Sequence, residues 1–543
     1  VSTARWLTAP LGPRGSRWRT IAPQRTVLVV VHTVTAMNRF ADILPVFDSD
    51  RRIQLVFTFP AASAVSADVE RFLADAGAVV LPWEQALHTR FDLALSAHHS
   101  GNLHEISASL VLLSHGIGYT KYSAGTGNRE PETGNRVGSV YGLSAQWLER
   151  DGALVPASIV LSHPEQLDRL ATAVPGAVDA AVLAGDPCHD RIAASLAERD
   201  RYRARLGADD DTTVVAVTST WGERSLFGSR PGLIADLLAE LGEGHVVAAI
   251  LHPNTWYAHG PAQIRLWLAD CLRAGLRLIP PLAGWQQTII AADVVIGDNG
   301  AVTGYAAAAG RPVLLAAFPE DAVVPGTAID ALGAHAPRLD PGSRFAAQLD
   351  AARRAPLGAV RELATSTPGQ SAGLLRREFY RLLGLSEPDT GPVLTRYRAG
   401  DLVPERAAAR AWWVAVEAAD DGVTVRRWPA DVVARPGHGP RAAACHLVVA
   451  ADHPRRDLLS NATVVLLERG SDAAEVFRDV PAAAVAVSPT AGGCLVQHRD
   501  GAVSAWHASG PAAEVAGSVV HVLGESEVFE VTLGRRGLVL TRR

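Results

Sequence analysis

Lysine is almost missing from this chain. There is one, Lys121, and every other strongly basic position is arginine. Cysteine is scarce as well. Cys188, Cys271, Cys445 and Cys494 stand far apart with no metal-type spacing, and they read as reduced thiols of a cytoplasmic protein. No run of about 18 apolar residues occurs, so no transmembrane helix is expected. The first residues hold no compact apolar core with a cleavage site, so no signal peptide is expected either. A net charge of −5 argues against general nucleic-acid binding. What the chain does have is apolar content. Of its 543 residues 48% are hydrophobic, and at ~150 residues per domain that length predicts two to four domains with ample core.

The lone lysine directs attention to its surroundings. It closes the stretch Ser114-His115-Gly116-Ile117-Gly118-Tyr119-Thr120-Lys121. The apolar run Ser109 to Leu113 before it reads as a buried strand. Gly116 and Gly118 let the backbone turn sharply or approach a ligand. A histidine and a lysine at the carboxyl end of an α/β strand point to where such sheets bind ligands. The alternative is a plain turn with a solvated lysine.

Residues 1–25 form a basic arm with five arginines, no acids, and Trp6 and Trp18. It fits contact with an anionic membrane surface, or a leader with no folded role. Residues 26–208 alternate β-branched runs with helical stretches, which predicts parallel βαβ units and a doubly wound sheet. A helix is expected at 67–76. His98, His99, His104 and His115 are close in sequence, but no carboxylate or cysteine spacing supports a metal, and none is assigned. The Gly-rich loop Gly125 to Gly138 is long for a connection between packed elements, as functional loops often are. Asp209 to Asp211 mark a break.

A second strand series fills 209–386. One strand ends in Thr218-Ser219-Thr220-Trp221-Gly222-Glu223-Arg224, and another in His252-Pro253. Pro253 stops that strand and displays His252 at its tip. Around Gly284 to Leu315 the pattern reads helix, short strand, Gly-rich turn, helix, strand. Asp298 or Asn299 can cap the second helix, and small residues at its start make an anion site. Residues 387–404 read as a linker. Residues 405–543 carry many short strands, and a small separate α+β domain without visible chemistry is expected there.

Taken in order, these strand-end motifs resemble the CDP-glycerol glycerophosphotransferase family of teichoic-acid polymerases and primases. His115, Gly116 and Lys121 match its H-G-x-x-x-K element with slightly longer spacing. Gly185, Pro187 and Asp190 match G-x-P-R-N-D, with Cys188-His189 in place of Arg-Asn. Thr220 and Trp221 match P-T-W-R, with Arg224 displaced by two residues. His252-Pro253 matches a further H-P. Ala292, Asp293, Ile296, Asp298, Gly310 and Pro312 match A-D-x-x-I-x-D-Y-S-S and its following G-x-P. The match covers roughly residues 90 to 320. Asn299-Gly300-Ala301 replaces Tyr-Ser-Ser, which removes the hydroxyls that would bind donor phosphates.

The resemblance implies a GT-B fold, two Rossmann-like domains facing a cleft. It implies a transferase that moves a glycerophosphate or glycosyl group from a CDP- or UDP-type nucleotide-linked donor to a hydroxyl acceptor, lipid-linked acceptors included. No permanently bound cofactor and no metal are expected. The work would be done in the cytoplasm or at the inner face of the membrane. His115 and His252 are carried over as the catalytic pair, with the base undecided between them. Lys121, Thr220, Arg224, Asp298, Asn299, Gly300 and Thr303 would hold the donor phosphates, Thr303 standing in for a lost serine. Gly116, Gly118, Gly185, Pro187 and Asp190 would shape turns. Two other readings keep the fold: a non-catalytic nucleotide-binding module, and an isomerase like UDP-N-acetylglucosamine 2-epimerase.

Overall fold

The computed structural model describes residues 6–7, 10–11, 15–60, 69–70, 73–74, 76–123, 139–419, 422–433, 445–508 and 511–543. The loop expected at 125–138, half of the helix expected at 67–76 and much of the basic arm lie outside the described residues.

The first domain is a seven-stranded parallel sheet. Its strands are β1 (Arg25–Val30), β2 (Ile53–Thr58), β3 (Val80–Leu81), β4 (Leu93–Ser96) and β5 (Ser109–Leu112). A small antiparallel hairpin, β6 (Glu149–Arg150) and β7 (Ala153–Leu154), precedes β8 (Ser158–Leu161) and β9 (Ala181–Leu183). The spatial order is β3-β2-β1-β4-β5-β8-β9. β4 and β8 are buried along their whole length, as expected of strands covered on both faces. The order reverses between β1 and β4, where a doubly wound sheet opens a crevice at its strand ends.

The second domain repeats this plan. Its strands are β10 (Thr213–Ser219), β11 (His245–Leu251), β12 (Arg277–Ile279), β13 (Val294–Gly297) and β14 (Val313–Leu315), in the order β12-β11-β10-β13-β14 and all parallel. The two-domain GT-B arrangement expected from the sequence is therefore present. Among the described residues no helix is long and apolar enough to cross a membrane.

Residues 371–383 depart from the expected boundary at 386. The amphipathic helix Ser371–Leu383 belongs to the first domain, because Leu375, Phe379, Tyr380 and Leu383 are buried in the same core as Val27, Phe40 and Leu95. Asp190 fixes its start, accepting hydrogen bonds from the N–H groups of Gly369 (2.7 Å) and Ser371 (3.0 Å). The expected linker at 387–404 is a fitted strap. Tyr397 and Leu402 on it are buried, and Tyr397 bonds to Asp42 (3.1 Å). Just past its end, Leu278 and Glu405 exchange backbone hydrogen bonds of 2.9 and 2.8 Å. An apolar Tyr and Leu in a polar stretch need a surface to cover, and both domains supply one.

The C-terminal region closes into a barrel, which the expected α+β pattern did not include. Its strands are β15 (Ala411–Ala419), β16 (Gly422–Pro429), β17 (His446–Ala450), β18 (Val464–Leu466), β19 (Val485–Thr490), β20 (Gly493–His498), β21 (Val503–His507), β22 (Val528–Leu533) and β23 (Arg536–Arg542). They pair β15-β16-β22-β23-β21-β20-β19-β18-β17, and β17 returns to β15. Parallel and antiparallel pairs alternate in blocks, so closure rests on contacts distant in sequence. The helix Pro511–Leu523 packs on strands around the ring through Ala512, Val515, Ala516 and Val519. Gly517 permits this approach, since a Cβ there would lie 2.4 Å from Val487 Cγ2. The Gly534-Arg535 turn joins β22 and β23 as a two-residue hairpin.

Candidate active site

A cavity of about 170 Å³ lies between the two Rossmann domains, at the carboxyl ends of both sheets. Of the predicted residues, His115, Gly116, Gly118, Lys121, Thr220, His252, Asp298, Gly300 and Thr303 line it. Asn299 is buried nearby and does not line it. Arg224 is elsewhere: it is exposed at the rim and ion-paired to Asp321. Gly185, Pro187 and Asp190 shape a turn behind the first wall. Gly185 has φ +73°, and a Cβ there would strike Thr367 and Ser371 side chains.

The two histidines carry opposite tautomers. His115 follows β5, and its Nδ1 lies 3.2 Å from the carbonyl oxygen of Ala97. A carbonyl only accepts, so Nδ1 donates and the lone pair sits on Nε2. His252 follows β11 and caps the helix Pro253–His259. Its Nδ1 accepts from the N–H of Asn254 at 3.1 Å, so Nε2 carries the hydrogen. Both rings are neutral near pH 7. Burial, then the cations Lys121 and Arg39, lower the His115 pKa to about 4. Burial, then Lys121 and His115, lower that of His252 to about 3.

Lys121 is held by backbone. The first-domain loop pairs with the second domain through the Lys121–Val323 bridge and a 3.1 Å bond from Val324 N–H to Thr120 O. The side chain is exposed by area but enclosed by protein, because the surface it shows is that of the cavity it lines. It has no salt-bridge partner among the described residues. Burial lowers its pKa, and the field of Asp298 opposes that.

Asp298 and Thr303 were expected to touch phosphate, and their hydrogen bonds run elsewhere. Asp298 is fully buried and accepts from the N–H groups of Thr220 (2.8 Å), Leu226 (2.9 Å) and Gly300 (3.0 Å). It pins the β10 loop to the Gly300 turn. Burial raises its pKa against the pull of those donors and of Lys121. Thr303 is spent on Thr218, with Oγ1 atoms 2.8 Å apart. What this wall offers is backbone. Gly300 caps the helix Ala301–Ala308, whose first N–H groups have no partner within the helix. Gly300 has an ordinary φ of −77°. Only space restricts it, since a Cβ would lie 2.9 Å from Asp298 Oδ1 and 3.3 Å from Thr220 Cβ.

Sequence reasoning missed the cavity floor. Arg39, from the helix Val34–Ile43, bonds to Asp186 (2.8 Å), to the Tyr305 hydroxyl (2.8 Å) and to the carbonyl of Gly116 (2.6 Å). Tyr305 in turn donates to Asp186 at 2.7 Å. Arg39 and Asp186 come from the first domain and Tyr305 from the second, so the network joins them. Burial pulls the Arg39 pKa down, but Asp186 and Tyr305 more than offset it, and the guanidinium stays charged. The available signal was an arginine on the apolar face of Val34–Ile43, beside Ala36, Phe40 and Ile43. Imidazoles are stacked behind His115. His98 lies 4.9 Å from His32 and 5.9 Å from His115, ring centre to ring centre. Both ring nitrogens of His99, which lines the cavity, lack a hydrogen-bond partner. Among the described residues no group of three or more His, Cys, Asp or Glu is placed to hold a metal ion.

No family profile and no curated protein sequence matches the chain. Solved structures are similar to the chain at low identity. The wall teichoic acid polymerase TagF is 11% identical over 67% of this chain and 89% of its own, with a TM-score of 0.46. MnaA of S. aureus, solved with UDP, is 10% identical over 68% and 100%, with a TM-score of 0.39. A glycosyltransferase from Rickettsia africae is 10% identical over 66% and 98%, with a TM-score of 0.37. Likeness this distant carries no assignment of function.

Proposed function

We propose that the chain is a transferase of the glycerophosphotransferase and glycosyltransferase type, acting on a nucleotide-diphosphate-linked donor and a hydroxyl acceptor. The observation that carries this reading is the pair of opposed tautomers facing one cavity. A transfer to a hydroxyl needs one group that takes a proton and others that steady phosphate charge. His115 Nε2 takes the proton of the acceptor hydroxyl. The acceptor oxygen bonds to the activated phosphorus or sugar carbon, and the bond from that centre to the leaving phosphate oxygen breaks. The nucleotide departs with the electron pair. His252 Nε2–H, the Lys121 ammonium and the free N–H groups at the start of Ala301–Ala308 steady that charge. Ala97 holds the His115 ring in the competent tautomer, and the bound diphosphate raises its proton affinity from the depressed value of the empty site.

The test is a thermal-shift screen of CDP-glycerol, UDP-N-acetylglucosamine and GDP-mannose, followed by turnover assays with any donor that stabilises the full chain. A binding donor stabilises the folded protein by mass action, by about 2.7 kcal/mol at a hundred times its Kd, and so raises Tm. If neither these donors nor free CMP, CDP, UDP and GDP stabilise the protein, the reading is wrong.

A further inference from the structure

A second cavity, of about 340 Å³, lies far from the first, between the second Rossmann domain and the barrel. It is roofed by the amino-terminal ends of β10 and β11, where Thr212 and His245 line it. Those strands run from this cavity to the central cleft, ending beside Thr220 and His252.

The wall holds more positive charge than its carboxylates neutralise. Arg427 is paired to Glu243 and Glu514, each at 2.8 Å, and Arg536 is paired to Asp209. Three further guanidiniums have no ion pair among the described residues. Arg277 and Arg535 line the cavity, and Arg406 reaches its wall at Gly207. Arg277 is half-buried and fixed by carbonyls, donating through Nε to Leu206 O (2.9 Å) and through Nη1 to Gly275 O (2.5 Å). Its Nη2 and Arg406 Nη1 converge, since a Cβ on Gly207 would lie 3.5 and 3.2 Å from them. Two unpaired guanidiniums directed at one point repel each other. Burial and then Arg406 lower the Arg277 pKa accordingly. Against these three stands Asp211, the acidic wall residue with no ion pair among the described residues. The His245 Nδ1 on the same wall is buried without a hydrogen-bond partner.

Arg277, fixed by carbonyls, and the exposed Arg406 and Arg535, none of them ion-paired among the described residues, suit a planar or tetrahedral oxyanion, which each guanidinium can hold through two N–H groups. The volume lies at the small end of ligand pockets. We propose that this cavity binds a small phosphate-bearing polyanion, held by Arg277, Arg406 and Arg535, at the seam between the second domain and the barrel.

The probe is inorganic pyrophosphate, titrated calorimetrically into the full chain. The central cleft also attracts phosphate, so the parent for the comparison is Lys121→Ala. That variant should still bind pyrophosphate. Adding Arg406→Gln and Arg535→Gln should weaken this binding tenfold or more. Both side chains are exposed and unpaired among the described residues, so the fold should persist, and an unchanged Tm without ligand checks that. Pyrophosphate should raise the Tm of Lys121→Ala clearly more than that of the triple variant, which keeps only the weakened central cleft. Equal affinity in the two proteins, or no pyrophosphate binding to Lys121→Ala, overturns the proposal.

Discussion

The two Rossmann domains share a strand order and divide the chemistry unequally. The first domain faces the cleft with side chains: His115, His99, Arg39 and Lys121 all come from it. The second faces it mainly with backbone. Its polar side chains Asp298 and Thr303 are turned to its own loops and strands, and His252 is its one cavity-lining imidazole. The same scaffold thus supplies titratable groups on one side and a prearranged row of N–H donors on the other. Backbone donors need no side-chain entropy and stay charge-neutral, which suits holding a phosphate. Proton transfer needs a lone pair basic enough to take a proton near neutral pH, which an imidazole side chain provides and a backbone amide does not.

That division sets different penalties for damage on each side. His115→Ala should cause the largest loss, with turnover falling about 10²–10⁴-fold while nucleotide affinity stays within about twofold. Steady-state kinetics with calorimetric titration of nucleotide separates the two. Gly300→Val should do the reverse, weakening nucleotide binding about tenfold or more, or roughly 1.4 kcal/mol, because the side chain crowds Asp298 Oδ1 and Thr220. Lys121→Ala should weaken binding by a few-fold and flatten its salt dependence, since a point charge in the cleft is partly screened already. Titrations at low and high salt read that slope.

A pH effect should follow the same asymmetry. Burial lowers the pKa of His32 and His115 to about 4, of His99 and His252 to about 3 and of His98 to about 2. All are neutral in the folded protein, while the unfolded chain takes up protons below about pH 6.5. The unfolded state therefore binds more protons as pH falls from 6.5 toward 4, and stability drops across that window. Four of the five belong to the first domain. Calorimetry at pH 7.5 and pH 5 should show Tm lower by roughly 5 °C or more at pH 5, with the first domain melting earlier.

Much of this was legible in the sequence, and the failures have physical causes. Strand-end motifs placed His115, Lys121, His252 and Gly300 around one cavity, because βαβ alternation puts all strand ends on one edge. Asp298 and Thr303 were read as phosphate ligands because small polar residues at a helix start look alike, whether they face a ligand or a neighbouring loop. Arg39 was missed although it lies on the apolar face of its helix, since an arginine in a helix usually points to water and its partners Asp186 and Tyr305 lie far away in sequence. Ser371–Leu383 displayed an apolar stripe but not which sheet it covers. The barrel was missed because its closure depends on β15 meeting β17 and β16 meeting β22. Within 485–507, Pro489 and Gly492-Gly493 also interrupt the alternation that marks strands.

The role split between the histidines can be read directly. Nitrogen-15 NMR of the full chain at pH 7.5, with His115 and His252 assigned by single substitution, distinguishes protonated from bare ring nitrogens. The prediction is a protonated Nδ1 and bare Nε2 on His115, and the opposite on His252. The same tautomer on both rings, or a bare Nδ1 on His115, would contradict the assignment of His115 as base and His252 as phosphate donor.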